Sequence, residues 1–198
     1  MQDFNRRYYE SRVWENTYYR GIPIAKNPCD LWVYQEIIWD TRPNVIIECG
    51  TGSGGSTMYL ADTLVSLLIT PRLVITIDLN RNFISHPNVV QLTGSSINKD
   101  IIEAVKESIL DTDRVMVVLD SSHEYDHVLS EMKEYGQLVT PGCYMVVEDT
   151  NNIYYREGKG AKEAVEDYLV GNSIFEVDEN REKFILTFNP GGYLRRKK

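Results

Sequence analysis

Beginning at Asn44, short runs of consecutive apolar, mostly β-branched residues alternate with longer stretches in which apolar positions recur every three or four residues. The runs at 45–49, 73–77, 88–92, 114–119 and 143–147 predict buried strands, because a strand covered on both faces loses the polar alternation of a half-exposed sheet. The stretches at 56–68, 98–110, 122–138 and 160–170 predict amphipathic helices. That order predicts an α/β domain with a mostly parallel sheet and helices on both faces. Two further apolar runs, 174–178 and 183–188, flank a short polar stretch at 178–182 and predict a closing hairpin that adds an antiparallel strand at the end of the sheet.

Residues 1–43 do not follow this alternation. They carry Tyr8, Tyr9, Trp14, Tyr18, Tyr19, Trp32, Tyr34 and Trp39. Within them, 31–40 predicts one helix with Leu31, Tyr34 and Ile38 on a shared face, ended near Arg42-Pro43. The preceding part predicts an arm packed on the domain or on another subunit, which points to a homo-oligomer. The chain thus divides into an aromatic arm, 1–43, and one α/β domain, 44–198.

Composition narrows the function. At 198 residues, with 42% hydrophobic and 25% charged residues, the chain suits one globular domain with a sizeable core. A net charge of −8 argues against a nucleic-acid surface, and the basic run Arg195-Arg196-Lys197-Lys198 reads as a solvated tail. The most apolar region, 64–77, is cut by Thr70, Pro71 and Arg72, so no membrane span is expected. The opening residues hold no apolar signal segment. The three cysteines, Cys29, Cys49 and Cys143, are widely spaced and odd in number, which is no disulfide framework and fits buried thiols in the cytoplasm.

In parallel sheets ligands gather at the C-terminal strand ends, and those ends carry the chemistry here. The first strand runs into Glu48-Cys49-Gly50-Thr51-Gly52-Ser53-Gly54-Gly55-Ser56. Glycines let the backbone approach a ligand, and the helix that follows offers free N–H groups. Gly50, Gly52 and Gly55 also satisfy GxGxxG, so a nicotinamide-dependent oxidoreductase or epimerase stays open. Glu48 tips the choice: a carboxylate sits badly beside a pyrophosphate but suits the ammonium end of S-adenosylmethionine. Asp78, at the next strand end, is placed to accept hydrogen bonds from ribose hydroxyls, a device shared by both cofactors. Ser95, in Gly94-Ser95-Ser96, would lie near the adenine.

Asp120, Glu148 and Asp149 are expected to meet at adjacent strand ends. Three carboxylates this close need a cation, and hard oxygen ligands suit Mg²⁺ or a similar ion that orients an acceptor hydroxyl and lowers its pKa. His123-Glu124-Tyr125-Asp126-His127 matches HExxH, the pattern of a zinc hydrolase. Ser121-Ser122-His123-Glu124 instead reads as a capping box, placing His123 in a first helical turn. There the helix dipole disfavours its charged form and suits it to act as a neutral general base. His127, one turn on, reads as structural.

Taken together, Trp32–Trp39, Arg42-Pro43, IIECGTGSGGST, LDSSHEYDHVLSEM and LVTPGCYMVVEDT resemble the cephalosporin hydroxylase family. The resemblance runs from about Trp14 to the C-terminal NPGGYLRR. It implies a Rossmann-like class I methyltransferase fold and an S-adenosylmethionine-dependent O-methyltransferase acting on a hydroxyl of a sugar or small natural product. It also implies Mg²⁺ on Asp120, Glu148 and Asp149, and the methionine part of the cofactor on Gly50, Thr51, Gly52, Gly54, Gly55 and Ser56. The chain departs from the family pattern at Leu79-Asn80, where an acidic continuation of Asp78 is expected.

Overall fold

The computed structural model describes residues 2–81, 84–151 and 158–198. In chain order, α1 (Gln2–Glu10) and a 3-10 turn (Val13–Asn16) lead to a small hairpin of β1 (Tyr18–Tyr19) and β2 (Ile22–Pro23). Helix α2 (Pro28–Thr41) precedes β3 (Val45–Cys49), α3 (Gly55–Ser66), β4 (Leu73–Asp78), β5 (Val89–Thr93) and α4 (Lys99–Glu107). Then come β6 (Val115–Leu119), α5 (Tyr125–Tyr135), β7 (Tyr144–Val147), α6 (Ala161–Val170), β8 (Phe175–Val177) and β9 (Tyr193–Arg196). Helix starts follow local chemistry. Asn27 caps α2 by accepting from the Cys29 N–H, with Pro28 at the first helical position, and Asn98 caps α4 by accepting from Asp100.

The main sheet has seven strands in the order β5-β4-β3-β6-β7-β9-β8. Pairings from β5 to β7 are parallel, whereas β9 runs antiparallel to both neighbours. Side chains of β3 alternate between two cores. Val45, Ile47 and Cys49 join the cluster containing Ile102, Met132 and Val165 of the helices α4 to α6. Ile46 joins the opposite cluster with Val33, Ile37 and Ile38 of α2 and Leu60 and Leu64 of α3.

Two sequence expectations need correction. The strand expected at 183–188 is absent; residues 179–182 form a 3-10 turn, and the last strand is 193–196. The expected solvated tail therefore contributes an interior strand, whose Arg196 guanidinium donates to the carbonyls of Gln137 and Val139. A strand flanked on both sides needs few apolar residues of its own when its neighbours satisfy the backbone. The segment 1–43 packs closely on the α/β layers. Its helix α2 covers the sheet directly, with Val33, Ile37 and Ile38 almost wholly buried, and Tyr9 and Trp14 pack edge-on against Phe188.

Candidate active site

A cavity of about 540 Å³ opens at the C-terminal ends of β3, β4 and β6, within the range of small-molecule sites. Gly50, Thr51, Gly52, Gly55 and Ser56 line one wall, Asp78 and Ser95 another, and Asp120, His123 and Asp149 a third. Tyr9 and Trp14, stacked with ring centroids 5.4 Å apart, also face it. The cavity thus gathers most of the residues singled out from the sequence.

The glycine loop is shaped by backbone proximity. Gly50 has φ +98°, and a Cβ there would stand 2.0 Å from the Asp120 carbonyl oxygen. Only glycine lets β3 turn this close to the end of β6. Gly54 has φ +90° and opens α3. Asp78 ties the loop down: its Oδ2 accepts from the N–H groups of Thr51 and Gly52 at 3.1 and 3.0 Å. Its other oxygen accepts from Asn80 at 2.9 Å.

Glu48 stands apart from the cavity. Strand alternation turns it toward α3, where it is 1% exposed and accepts hydrogen bonds from Thr57 and, at 2.7 Å, Thr76. Burial pushes its carboxyl up to about 7, against the hydroxyl hydrogen bonds and Lys26, which lower it. Glu48 braces the loop from beneath rather than offering a free carboxylate to a ligand.

The three carboxylates at the ends of β6 and β7 divide between two sides for the same reason. Asp120, His123 and Asp149 converge, each with a ligand atom within 4.8 Å of the others. His123 Nε2 lies 3.1 Å from Asp149 Oδ2. Glu148 points instead into the protein, accepting from the Tyr34 hydroxyl at 2.5 Å and lying 2.7 Å from the Lys26 ammonium. Lys26 also bonds Asp120 Oδ2 at 2.5 Å. Burial raises the carboxyl pKa values of Asp120, Glu148 and Asp149. Burial lowers the Lys26 pKa, but the charges of Asp120 and Glu148 outweigh it and raise the ammonium's pKa.

The HExxH segment does not form a zinc helix. Helix α5 starts only at Tyr125, capped by Glu124 without a side-chain bond, so His123 lies in the preceding loop and no capping box forms. The two histidines serve different partners. His127 Nε2 lies 3.0 Å from the Ser96 hydroxyl and 3.4 Å from Glu131, and its hydrogen bond with Glu131 raises its pKa above the usual imidazole range. Among the described residues, Asp120, His123 and Asp149 are the group suited to hold a metal.

Three polar residues important to the site were missed by sequence reasoning: Lys26, Glu131 and His127 as a cavity residue. Glu131 is fully buried and accepts from both Ser96 and Ser121, fixing two loops of the cavity wall. The i, i+4 spacing of His127 and Glu131 was the available signal. Lys26, 94 positions before Asp120, gave none.

The profile of the Rhamnosyl O-methyltransferase/CmcI family matches residues 11–197. A rhamnosyl O-methyltransferase of Mycobacterium tuberculosis (strain ATCC 25618 / H37Rv) is 33% identical over 207 residues, spanning 98% of this chain and 84% of the relative. That of Mycobacterium leprae (strain TN) is 32% identical over 209 residues, spanning 99% and 90%. In fold, the chain superposes on a solved CmcI structure with Mg and SAM at a TM-score of 0.73, 23% identity, and 93% and 78% coverage.

Proposed function

The chain belongs to the Rhamnosyl O-methyltransferase/CmcI family, and on that premise we propose that it is an S-adenosylmethionine-dependent, divalent-cation-assisted O-methyltransferase acting on a hydroxyl of a sugar or small natural product. One observation carries the reading. The glycine loop and Asp78 line the same cavity in which Asp120, His123 and Asp149 converge. A methyl-donor cradle and an acceptor-activating cluster thus face a common space.

The residues present fit both groups. Gly50 to Ser56 would hold the methionine part of the cofactor, with Asp78 toward the ribose and Ser95 toward the adenine. Two aspartate carboxylates offer hard oxygen donors suited to a divalent ion; Asp120 and Asp149 would hold it, with Glu148 behind them. When bound, S-adenosylmethionine would supply an electrophilic methyl group and the ion would polarise the acceptor hydroxyl. His123, paired with Asp149, is positioned to take the proton of the acceptor hydroxyl. Asp120, His123 and Asp149 are only partly exposed at the cavity wall, where their charges act more strongly than in bulk water.

No helix among the described residues is long and apolar enough to cross a membrane. A cytoplasmic location belongs to the same reading and is supported by three free thiols, Cys29, Cys49 and Cys143. A homo-oligomer is supported by Trp32 and Trp39, both more than half exposed on α2.

The testing assay incubates the protein with S-adenosylmethionine and methyl α-L-rhamnopyranoside or a panel of hydroxylated natural products, with Mg²⁺ or with EDTA. Methyl transfer that EDTA suppresses, and that His123→Ala reduces by about 100-fold or more, supports the proposal. Transfer to no acceptor, from protein shown to be folded, contradicts it.

A further inference from the structure

Lys26 is a buried lysine that the proposed chemistry does not use. It lies between the small hairpin and α2, with 7% of its side chain exposed. Its ammonium contacts one oxygen of Asp120 and one of Glu148, so it bridges the ends of two adjacent strands. Tyr34 holds the remaining oxygen of Glu148. The opposite side of the cluster, formed by Asp120, His123 and Asp149, faces the cavity.

We propose that Lys26 is a built-in counter-cation of the carboxylate cluster, a positioning residue that fixes Asp120 and Glu148 and limits the site to a single divalent ion. The proposal rests on the metal-assisted reading above. The charge balance supports it: Asp120, Glu148 and Asp149 against Lys26 leave two negative charges, which one divalent cation neutralises. Without the ammonium, the inner side of the cluster would carry an uncompensated buried carboxylate, a costly arrangement that a second cation or a proton would relieve.

Removing a positive charge beside a cation site strengthens cation binding, whereas disordering the site weakens it. Mn²⁺ serves as the probe, its free concentration read by electron paramagnetic resonance with the full chain. Lys26→Met is expected to bind Mn²⁺ roughly tenfold or more tightly than the wild type, or to bind a second ion. Glu148→Gln is expected to bind more weakly, and the double variant, in which the cluster charge returns to its original value, to lie between the two. Where Lys26→Met is only marginally stable, thermal melting supplies the same answer. Mn²⁺ should raise its Tm by more than it raises that of the wild type.

Weaker Mn²⁺ binding by folded Lys26→Met, or a smaller rise in Tm, overturns the proposal. If the wild type binds no Mn²⁺ but Lys26→Met does, the metal reading falls while Lys26 stands as the cluster's own cation. If neither binds, both fall.

Discussion

At the residue scale, the site depends on side chains whose neighbours dictate their roles. Asp120 is held by Lys26 on one oxygen, leaving the other for the cavity, and Asp149 is paired with His123. Asp120→Asn or Asp149→Asn is expected to weaken Mn²⁺ binding by about 10- to 100-fold, measured by the same resonance titration, while circular dichroism stays unchanged. Gly50→Ala is expected to act differently. Its Cβ would collide with the Asp120 carbonyl, and the backbone is at positive φ. The cost should be about 3 kcal/mol of folding stability, read as a lower urea midpoint. The sequence showed Asp78, Asp120, His123, Asp149 and the loop glycines because strand ends and glycine spacing are local signals. It did not separate Glu148 from Asp149, although alternation along β7 turns adjacent residues to opposite sides. It missed Lys26 because an isolated lysine in an irregular segment carries no pattern.

At the element scale, strands β3, β4, β6 and β7 were legible within a residue or two, since a short unbroken apolar run between turn residues suits a strand covered on both faces. The end of the chain was not. The run at 183–188 looks more strand-like than Tyr193–Arg196, yet the latter pairs with β7 through Tyr144↔Arg195 and with β8 through Phe175↔Arg196. Two arginines are tolerated there because their polar ends reach carbonyls and the surface while the backbone completes the sheet. Deleting residues 193–198 should therefore abolish cooperative thermal unfolding, because β8 would lose its only ladder partner among the described strands. Deleting Lys198 alone should shift Tm by no more than about 2 °C. A truncated chain that unfolds cooperatively at the original temperature would contradict the placement of β9. Helix α2, by contrast, was legible at 31–40 and spans Pro28–Thr41; its exposed tryptophans left open only that its inner face is part of the core.

At the scale of the whole molecule, buried acids outnumber buried bases. Among the described residues Asp30, Glu48, Glu131 and Glu148 are buried, against Lys26. Asp30, bonded to the Phe188 N–H and the Tyr193 hydroxyl, is pushed up to about 7 by burial, as is Glu48. A folded-state pKa above the unfolded one means that the native state binds more protons between about pH 4 and 7. Stability therefore falls as pH rises through that window. His127 acts in the same direction, since its raised pKa gives stability that is lost as pH rises through the folded value. The urea midpoint should thus be higher at pH 5.5 than at pH 8, by a free energy on the order of 1 kcal/mol or more. Glu48→Gln should flatten the difference. Equal stability at both values, or greater stability at pH 8, would contradict the burial of these acids as ionisable groups.

The central claim, that the glycine loop and Asp78 hold S-adenosylmethionine beside a divalent-ion cluster, is tested most directly by calorimetric titration of that cofactor with and without Mg²⁺. The expected result is one site per chain with a Kd in the micromolar range, roughly −8 kcal/mol, weakened at least about tenfold by Asp78→Ala. No binding heat at two temperatures, from protein that melts cooperatively, would contradict the account.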